Sequence, residues 1–414
     1  MTTSTTIGDT TIAETEITTV FDADNHYWES SDAFTRHRDP RFADRGVVLR
    51  EVDGKPRYFF GERIHPIVPG PGDVHRRPRP GALYEYFQGK MDKERVGDEL
   101  SCEDPTDHPD WFDHDARLAV MDQQGLEAAW LFPSQGVCME GPMQPDVEAS
   151  IEVLRAFNRW LDDDWGFAYQ NRIFAVPFLT LSDLDRAVAE LEWCAHRGAR
   201  IITIRNGPVF TPEGTRSPAD PVFDPFWARA EEAGLVVTAH AGFEDGYVDV
   251  TDAVAATWGM HSGATEGDAA SKAAQLTVQL MKHRLIQDFA TVLVAHKLFE
   301  RFPRLRFAYI ENGADWVRPL LHTLQMLHGQ NPGMFKTNPV DQFIEHCWVA
   351  PFVEDDVEDV ARYLPVERIL FGSDWPHAEG LPDPRDYFAK VAGFSLHDQR
   401  RIMVENAREL TFST

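Results

Sequence analysis

Asp24 and His26 stand two residues apart at the end of a predicted strand, in the segment Phe21–His26 (FDADNH). The β-branched run 17–20 that precedes them predicts an extended chain. Because side chains alternate between the two faces of a strand, the spacing predicts Asp22, Asp24 and His26 on one face. Carboxylate and imidazole groups that point the same way are typical ligands of a divalent metal. The alternative is an acidic turn with an exposed histidine.

Other predicted strands also end on polar residues. A charged group at the end of a buried strand is costly unless it is paired or bound to a metal. His296 is a further candidate, because it is the histidine that ends the apolar run 290–296. The predicted metal ligands are Asp24, His26, His240, His296, Glu311 and Asp374. Catalytic roles are predicted for Glu311, His377 and Arg205.

Each candidate has a structural alternative. His240 and His296 fit histidines that are hydrogen-bonded within the core. Glu311 fits a carboxylate stabilised by a helix N-terminus, and Asp374 fits a helix N-cap. Arg205 fits a partner for one of the carboxylates. The metal interpretation is favoured because several strand ends carry such groups together.

Short apolar runs alternate with amphipathic stretches along the chain. The runs predict eight strands: one before Asp22, then Ala128–Pro133, Ile173–Leu179, Arg200–Ile204, Leu235–His240, Leu305–Glu311, Cys347–Pro351 and Arg368–Phe371. The amphipathic stretches predict helices at Val147–Asp164, Leu184–His196, Pro225–Ala233, Ala269–Phe302 and Asp355–Leu364. Parallel strands covered by helices give such continuous apolar runs. The alternation predicts an α/β fold, a (β/α)₈ TIM barrel.

Residues 30–110 do not follow this alternation and predict a long insertion after the first strand. Weak strand signals lie at 47–49 and 58–60. The insertion fits a cap over the barrel mouth, where loops of this fold build active sites. An irregular surface excursion or an oligomer interface is the alternative. Residues 1–16 are Thr-rich and predict a flexible tail, so that 17–414 form one domain.

The formal charge of −27 argues against nucleic acid and anionic membranes as partners. The four cysteines form no CxxC pair, and no apolar run reaches the ~18 residues of a membrane helix. These features predict a cytoplasmic enzyme that acts on a small molecule, and they are compatible with a homo-oligomer.

Several of these segments resemble the amidohydrolase-related (amidohydrolase 2) superfamily over roughly residues 18–410. They are Asp24-x-His26, His240, Phe299–Leu305 (FERFPRL) and Phe371–His377 (FGSDWPH). The resemblance implies a metal-dependent TIM-barrel enzyme, a group that includes hydrolases and non-oxidative decarboxylases. The chain departs from that group in having Glu311 where the decarboxylases carry a histidine. It also has Arg205 where binuclear hydrolases carry a lysine or glutamate, and Asp24 in place of the first histidine of His-x-His.

A site of carboxylates with a few imidazoles suits iron or manganese and is found in di-iron proteins that activate O₂. The chain also looks similar to the branch of this superfamily formed by the non-haem di-iron monooxygenases of platensimycin biosynthesis. The first hypothesis is therefore a monooxygenase with two Fe that hydroxylates a bulky apolar substrate and takes electrons from a separate donor. A coenzyme A (CoA) ester as substrate is implied by the resemblance alone.

The second hypothesis is a redox-neutral decarboxylase or hydrolase with one Zn or Mn. Asp24, His26, His240 and Asp374 would hold the ion, and Glu311 or His377 would act as acid or base. A non-catalytic barrel is a third alternative, which predicts that no metal is bound.

Overall fold

The computed structural model describes residues 17–65, 68, 70–92, 94–100, 102–242 and 283–413. The predicted tail, residues 1–16, lies outside this range, as does the first part of the helix predicted at 269–302. Among the residues that the structure describes, none of the helices combines the length and the apolar character that crossing a bilayer requires.

The fold is mixed α/β. The strands are β1 (Val20–Tyr27), β2 (Val47–Val52), β3 (Lys55–Phe60), β4 (Arg63–Ile64), β5 (Leu126–Pro133), β6 (Ile173–Ala175), β7 (Phe178–Leu179), β8 (Ile201–Ile204), β9 (Val209–Thr211), β10 (Gly214–Arg216), β11 (Val236–His240), β12 (Arg306–Ile310) and β13 (Cys347–Val349).

The α-helices are Ala82–Phe87, Val96–Glu99, His114–Gln124, Glu140–Met143, Val147–Asp164, Leu184–His196, Asp224–Glu232, Leu298–Arg301, Val317–Gln330, Pro339–His346, Val357–Val360, Leu396–Arg400 and Asn406–Phe412. Residues 283–295 are also helical, and Arg401–Glu405 form one π-helical turn. Short 3₁₀ segments lie at Pro40–Phe42, Pro105–Asp107, Pro109–Trp111, Gly136–Cys138, Pro221–Phe223, Val366–Arg368 and Pro384–Ala389.

Two of the predicted helices, Val147–Asp164 and Leu184–His196, have the bounds that the sequence indicates. An aspartate precedes each helix, and its carboxylate accepts a hydrogen bond from the third backbone N–H beyond it. Such N-caps satisfy amide groups that have no partner within the helix. The helix predicted at Asp355–Leu364 is shorter than expected, because only Val357–Val360 are helical.

Parallel strands make up two sheets. In one sheet β5 lies between β1 and β6, and in the other the order is β13, β12, β11, β8, β7. Six of the predicted apolar runs correspond to these strands, and the run 173–179 is divided into β6 and β7. The run 368–371 is the exception: it has no regular strand and is represented by a single bridge at Ile369, and a further bridge lies beyond it at Trp375.

Backbone hydrogen bonds connect the edges of the two sheets. Between β6 and β7, the Val176 amide donates to a β5 carbonyl, and the Pro177 carbonyl accepts from β8, both at 2.9 Å. At the other edges, the Leu370 amide donates to β13 at 2.9 Å, and the Phe371 carbonyl accepts from β1 at 2.9 Å. Residues 369–375, which we call the closing segment, therefore lie between β13 and β1.

Among the described residues, buried apolar side chains form two clusters. The smaller one, which we call the inner cluster, consists largely of alternate strand residues, such as Phe21 on β1, Trp130 and Phe132 on β5, and Ile310 on β12. The larger one includes the helix faces that cover the strands. Both faces of the parallel strands are thus buried, as the continuous apolar runs predict.

The insertion at 30–110 contains a small antiparallel sheet of β2, β3 and β4 and two short helices. It is bonded to the chain that follows the closing segment, because Gly81 donates to the His377 carbonyl at 3.0 Å and Leu83 to the Ala378 carbonyl at 2.8 Å. The Glu29 carboxylate, just after β1, accepts hydrogen bonds from two backbone amides beyond β5.

Gly372 allows the closing segment to approach β1, because a Cβ at this position would lie 2.5 Å from Asp24 Cβ. We expect Gly372→Ala to lower the free energy of unfolding by about 1–3 kcal/mol, the usual cost of overpacking a buried site. Urea unfolding measures this change. Gly329→Ala is the control, because a Cβ there has nothing within 4 Å. Equal stability of Gly372→Ala and the wild-type protein would contradict the close approach.

Candidate metal centre

Five polar side chains converge at the carboxyl ends of the parallel strands. Asp24 Oδ1 lies 3.4 Å from His26 Nε2 and 3.3 Å from His240 Nε2. Asp374 Oδ1 lies 3.3 Å from His26 Nε2, and Glu311 Oε2 lies 3.4 Å from His240 Nε2. The structure therefore brings together five of the six predicted ligands, from β1, β11, the end of β12 and the closing segment.

An irregularity in β1 turns His26 toward the inner cluster. Phe21 pairs with Ala128 and His26 pairs with Phe132, and both partners belong to the inner cluster. Five positions separate Phe21 from His26, so a strict period of two would place them on opposite faces. One extra residue in β1 between the two pairs acts as a bulge and corrects the phase.

The bulge separates Asp22 from the ligand group, contrary to the prediction that Asp22, Asp24 and His26 share one face. The Asp22 carboxylate accepts hydrogen bonds from Asn25 Nδ2 at 3.0 Å and from the Ser373 amide at 3.0 Å. Burial raises the pKa of Asp22 to about 7. Asp22 therefore holds the closing segment against β1.

Arg117 supports this part of β1 from a helix that the site prediction did not include. Its Nη1 donates to Asn25 Oδ1 and to the His26 carbonyl, both at 2.7 Å. Its guanidinium lies 4.7 Å from the ring centre of Trp375. No pattern in the sequence distinguishes Arg117 from other arginines on helices, because its role depends on the bulge.

The two ligand histidines have ring nitrogens available for a metal. His240 Nδ1 is bonded to the Ala241 carbonyl, which places a hydrogen on Nδ1, and Nε2 faces Asp24 and Glu311, where it could bind a cation held by these carboxylates. Ligand histidines commonly use the second nitrogen in this way. His26 is fully buried, and neither of its ring nitrogens has a hydrogen-bond partner among the described atoms. Such unpartnered buried nitrogens are costly unless a cation is bound.

The carboxylates of the site differ in charge. Burial acts to raise the pKa of Asp24, but its contacts with His240 and His26 outweigh burial and hold this pKa below its usual range. Burial and the nearby Asp374 raise the pKa of Glu311 well above its usual range. Burial and the nearby Glu379 and Asp24 likewise raise the pKa of Asp374. Carboxylates crowded in this way favour a bound cation, which offsets their repulsion.

The described residues contain three overlapping groups whose candidate ligand atoms lie within 4.8 Å of one another. They are Asp24–His26–His240, His26–Asp374–His377 and Glu311–Asp374–Glu379. Glu379 is a member that the sequence prediction omitted, although it follows His377 by only two residues. Oxygen and nitrogen donors in these numbers fit a divalent transition metal.

His377 uses both ring nitrogens within the protein. Its Nδ1 lies 2.7 Å from Asp374 Oδ1, and its Nε2 lies 2.8 Å from Ser134 Oγ. The ring also packs 4.0 Å from the ring centre of His26. His377 thus lies beside the ligand group with neither ring nitrogen left for a metal.

Two predicted residues make contacts with residues outside the ligand group. His296 is exposed just beyond the helical residues 283–295, and its Nδ1 lies 2.8 Å from Ser217 Oγ. It interrupts an apolar run because the helix ends there, so we leave it out of the ligand set. Arg205 is buried with its Nε 3.5 Å from Glu140 Oε2, and its guanidinium packs on the Phe210 ring. This is the carboxylate pairing that the structural alternative predicts, with Glu140 as an unforeseen partner.

Comparison with known proteins gives a family match. The profile described as amidohydrolase matches residues 21–411. Among solved structures, an amidohydrolase from Mycobacterium avium subsp. paratuberculosis K-10 is 37% identical with a TM-score of 0.86, and the match covers 95% of this chain and 99% of that one. A comparison with curated proteins returned no match.

Two more distant structures show the same fold. A 2,6-dihydroxybenzoate decarboxylase from Rhizobium is 22% identical with a TM-score of 0.54, over 81% of this chain and 96% of that one. A dihydroxybenzoic acid decarboxylase from Polaromonas sp. JS666, with bound manganese and the inhibitor 2-nitroresorcinol, is 18% identical with a TM-score of 0.55. That match covers 81% of this chain and 95% of the decarboxylase.

We expect His240→Ala to lower Mn²⁺ or Zn²⁺ affinity by at least about 100-fold, because even the loss of an outer-shell partner costs 10–100-fold. The protein should stay folded, since His240 lies at the end of its strand. Metal titration together with circular dichroism measures both. His296→Ala is the matched control and should bind metal normally. Normal binding by His240→Ala, or loss of binding in the control, would contradict the ligand set.

Metal binding should displace protons from the site. Burial and the nearby Glu379 and Asp24 raise the pKa of Asp374, which favours its protonated form in the metal-free protein. A cation that binds this carboxylate competes with the proton, so its apparent affinity should increase as the pH rises. Calorimetric titration of Mn²⁺ in two buffers of different ionisation enthalpy measures the protons released. Binding without proton release would contradict the crowded-carboxylate description.

Proposed function

Because this chain belongs to the amidohydrolase family, whose members are metal-dependent enzymes, we propose that it is a redox-neutral decarboxylase or hydrolase that uses one divalent cation. The observation that carries the proposal is the convergence of Asp24, His26, His240 and Asp374 beside Glu311, whose pKa burial and the nearby Asp374 raise above its usual range. Two carboxylates and two imidazoles provide one cation with mixed oxygen and nitrogen ligands, and manganese and zinc accept such a set.

We also infer the architecture of the whole fold. It is a (β/α)₈ barrel in which β6 and β7 count as one strand and the closing segment is the eighth, with β9 and β10 outside the barrel. The hydrogen bonds that connect the sheet edges support this count. We also infer that the insertion at 30–110 caps the barrel mouth, because it is bonded to the chain that follows Asp374. Active sites of barrels lie at this end of the strands.

A divalent cation in this site would supply Lewis acidity, which polarises the carboxylate or carbonyl oxygens of a substrate. The surrounding protein keeps water out and orients the ligand groups. The Phe132 ring packs 4.5 Å from the His240 ring, and the Trp28 ring packs 5.2 Å from the His377 ring. Electrostatic interactions are stronger in such a dry setting than in water.

Glu311 provides the proton in the proposed decarboxylation. The bond between the carboxylate and its carbon breaks, CO₂ leaves, and the electron pair remains on that carbon. A proton from Glu311 or from the Asp374–His377 contact then bonds to the carbon. A carboxyl group with a raised pKa is suited to this step, and burial and the nearby Asp374 raise the pKa of Glu311. In hydrolysis the same groups would protonate the leaving group.

The solved structures of this fold indicate which substrates to test first. Those described above include decarboxylases of dihydroxybenzoates, and another is a 5-carboxyvanillate decarboxylase. We therefore propose hydroxylated aromatic carboxylates as the first substrate class. Such compounds are anions, and their carboxylate and phenol oxygens suit a hard divalent cation.

A di-iron monooxygenase is the second candidate, and one observation favours it. The Glu311–Asp374–Glu379 group adjoins the Asp24–His26–His240 group, so the site has carboxylates for a second cation. Two Fe, O₂ and an electron donor would then be needed, and CoA-linked substrates belong to this candidate. Carboxylate-rich sites with a few imidazoles are typical of di-iron proteins.

Metal content and O₂ dependence distinguish the two candidates. We expect about one Mn or Zn per chain, as a single four-ligand site requires. We also expect CO₂ release from a hydroxybenzoate, or hydrolysis of an ester or amide, under strictly anaerobic conditions. Elemental analysis and gas measurement test this. Two Fe per chain with O₂ consumption would overturn the proposal in favour of the monooxygenase.

Glu311→Gln refines this test. If Glu311 is the acid, the variant should keep its metal while kcat falls by about 100-fold or more, the usual effect of losing a general acid. Gln preserves the size of the side chain and cannot supply the proton. Loss of metal from Glu311→Gln would instead show that Glu311 is a ligand.

A further inference from the structure

Ser134, the first residue after β5, makes two short contacts. Its Oγ lies 2.6 Å from the Tyr27 carbonyl oxygen and 2.8 Å from His377 Nε2. A carbonyl oxygen only accepts hydrogen bonds, and two oxygens this close would repel each other without a hydrogen between them. The single hydroxyl hydrogen of Ser134 is therefore directed to Tyr27.

This direction determines which nitrogen of His377 carries a hydrogen. Because the Ser134 hydrogen is already used, its oxygen presents only lone pairs to His377. His377 Nε2 must therefore donate, so the ring has the Nε2–H form. A histidine bonded to a hydroxyl that was free to rotate could adopt either form, and the Tyr27 carbonyl removes that freedom.

The other nitrogen of His377 faces Asp374. The Nδ1–Oδ1 distance of 2.7 Å requires a hydrogen between these atoms. That hydrogen belongs either to Nδ1 or to the Asp374 carboxyl group, and in both cases Nε2 keeps its own hydrogen.

The histidines of the centre therefore divide into two kinds. His240 places a hydrogen on Nδ1, toward the Ala241 carbonyl, and its Nε2 faces the carboxylates, where its lone pair would bind a cation. His377 has the opposite arrangement, with a hydrogen on Nε2. Backbone carbonyls determine both, directly for His240 and through Ser134 for His377.

We propose that Ser134 is a positioning residue that holds His377 in the Nε2–H form, with Nδ1 directed at Asp374. The catalytic consequence rests on the proposed function, in which the Asp374–His377 contact is one of the two proton sources. The hydrogen-bond arrangement itself does not depend on the reaction.

Nuclear magnetic resonance of zinc-loaded protein labelled with ¹⁵N-histidine tests the arrangement without any substrate. Long-range ¹H–¹⁵N correlation identifies which ring nitrogen carries a hydrogen, and His377→Gln assigns the signal. We expect a protonated Nε2 in the wild-type protein and in Ser134→Thr, which keeps the hydroxyl. Ser134→Ala should lose this signature or show a mixture of forms, while its zinc content stays normal.

Ser217→Ala is the matched control, because it removes another serine–histidine contact of 2.8 Å, with His296, outside the centre. It should leave the His377 signal unchanged. A wild-type His377 with a bare Nε2 would overturn the proposal without any variant. An unchanged His377 signal in Ser134→Ala would also overturn it.

Kinetics distinguish this proposal from the proposed function. If anaerobic decarboxylation is found, kcat of Ser134→Ala should fall by about tenfold at similar KM, since positioned acids contribute more than this. Ser134→Thr should restore the rate. Unchanged kcat would overturn the catalytic role of Ser134. If decarboxylation and hydrolysis are both absent while the Nε2–H signature is present, the proposed function fails and the arrangement of Ser134 and His377 stands.

Discussion

Backbone hydrogen bonds between β1 and the closing segment hold the candidate centre together. The Asp374 amide donates to the Asp24 carbonyl at 2.8 Å, and the His26 amide donates to the Trp375 carbonyl at 2.8 Å. These bonds place residues from opposite ends of the chain within reach of one cation. Gly372 permits the close approach, and the Asp22 carboxylate reinforces it by accepting from the Ser373 amide. The position of every ligand from these two segments depends on this contact.

The centre brings several carboxyl groups together in a buried environment, and the shifts in their pKa values follow from this. Glu311 and Asp374 have raised pKa values because burial and their neighbours disfavour ionisation. His26 has a pKa well below its usual range, because burial and the nearby His377 disfavour the imidazolium. Neutral imidazole and crowded carboxylates are the state that a divalent cation stabilises. The same crowding raises the pKa of Glu311, the residue that we propose as the acid.

Much of the fold and part of the centre are predictable from the sequence, since both depend on local patterns. Apolar runs give most of the parallel strands, and aspartate caps mark the starts of helices such as Val147–Asp164. His296 misleads because a polar residue in an apolar run suggests function, whereas here it follows a helix end at the surface. The bulge in β1, the support from Arg117 and the contact of Ser134 are tertiary effects. They depend on which segments contact each other in the fold, and local sequence patterns do not indicate those contacts.

Anomalous diffraction from crystals of the manganese-loaded protein would locate the cation relative to these side chains. We expect one strong manganese peak bonded to carboxylate oxygens of Asp24 and Asp374, to a ring nitrogen of His26 and to His240 Nε2. Ligand distances near 2.0–2.3 Å are expected for nitrogen and oxygen donors. A peak that none of these four residues contacts, or a saturated crystal with no ordered manganese, would show that these residues do not form a metal centre.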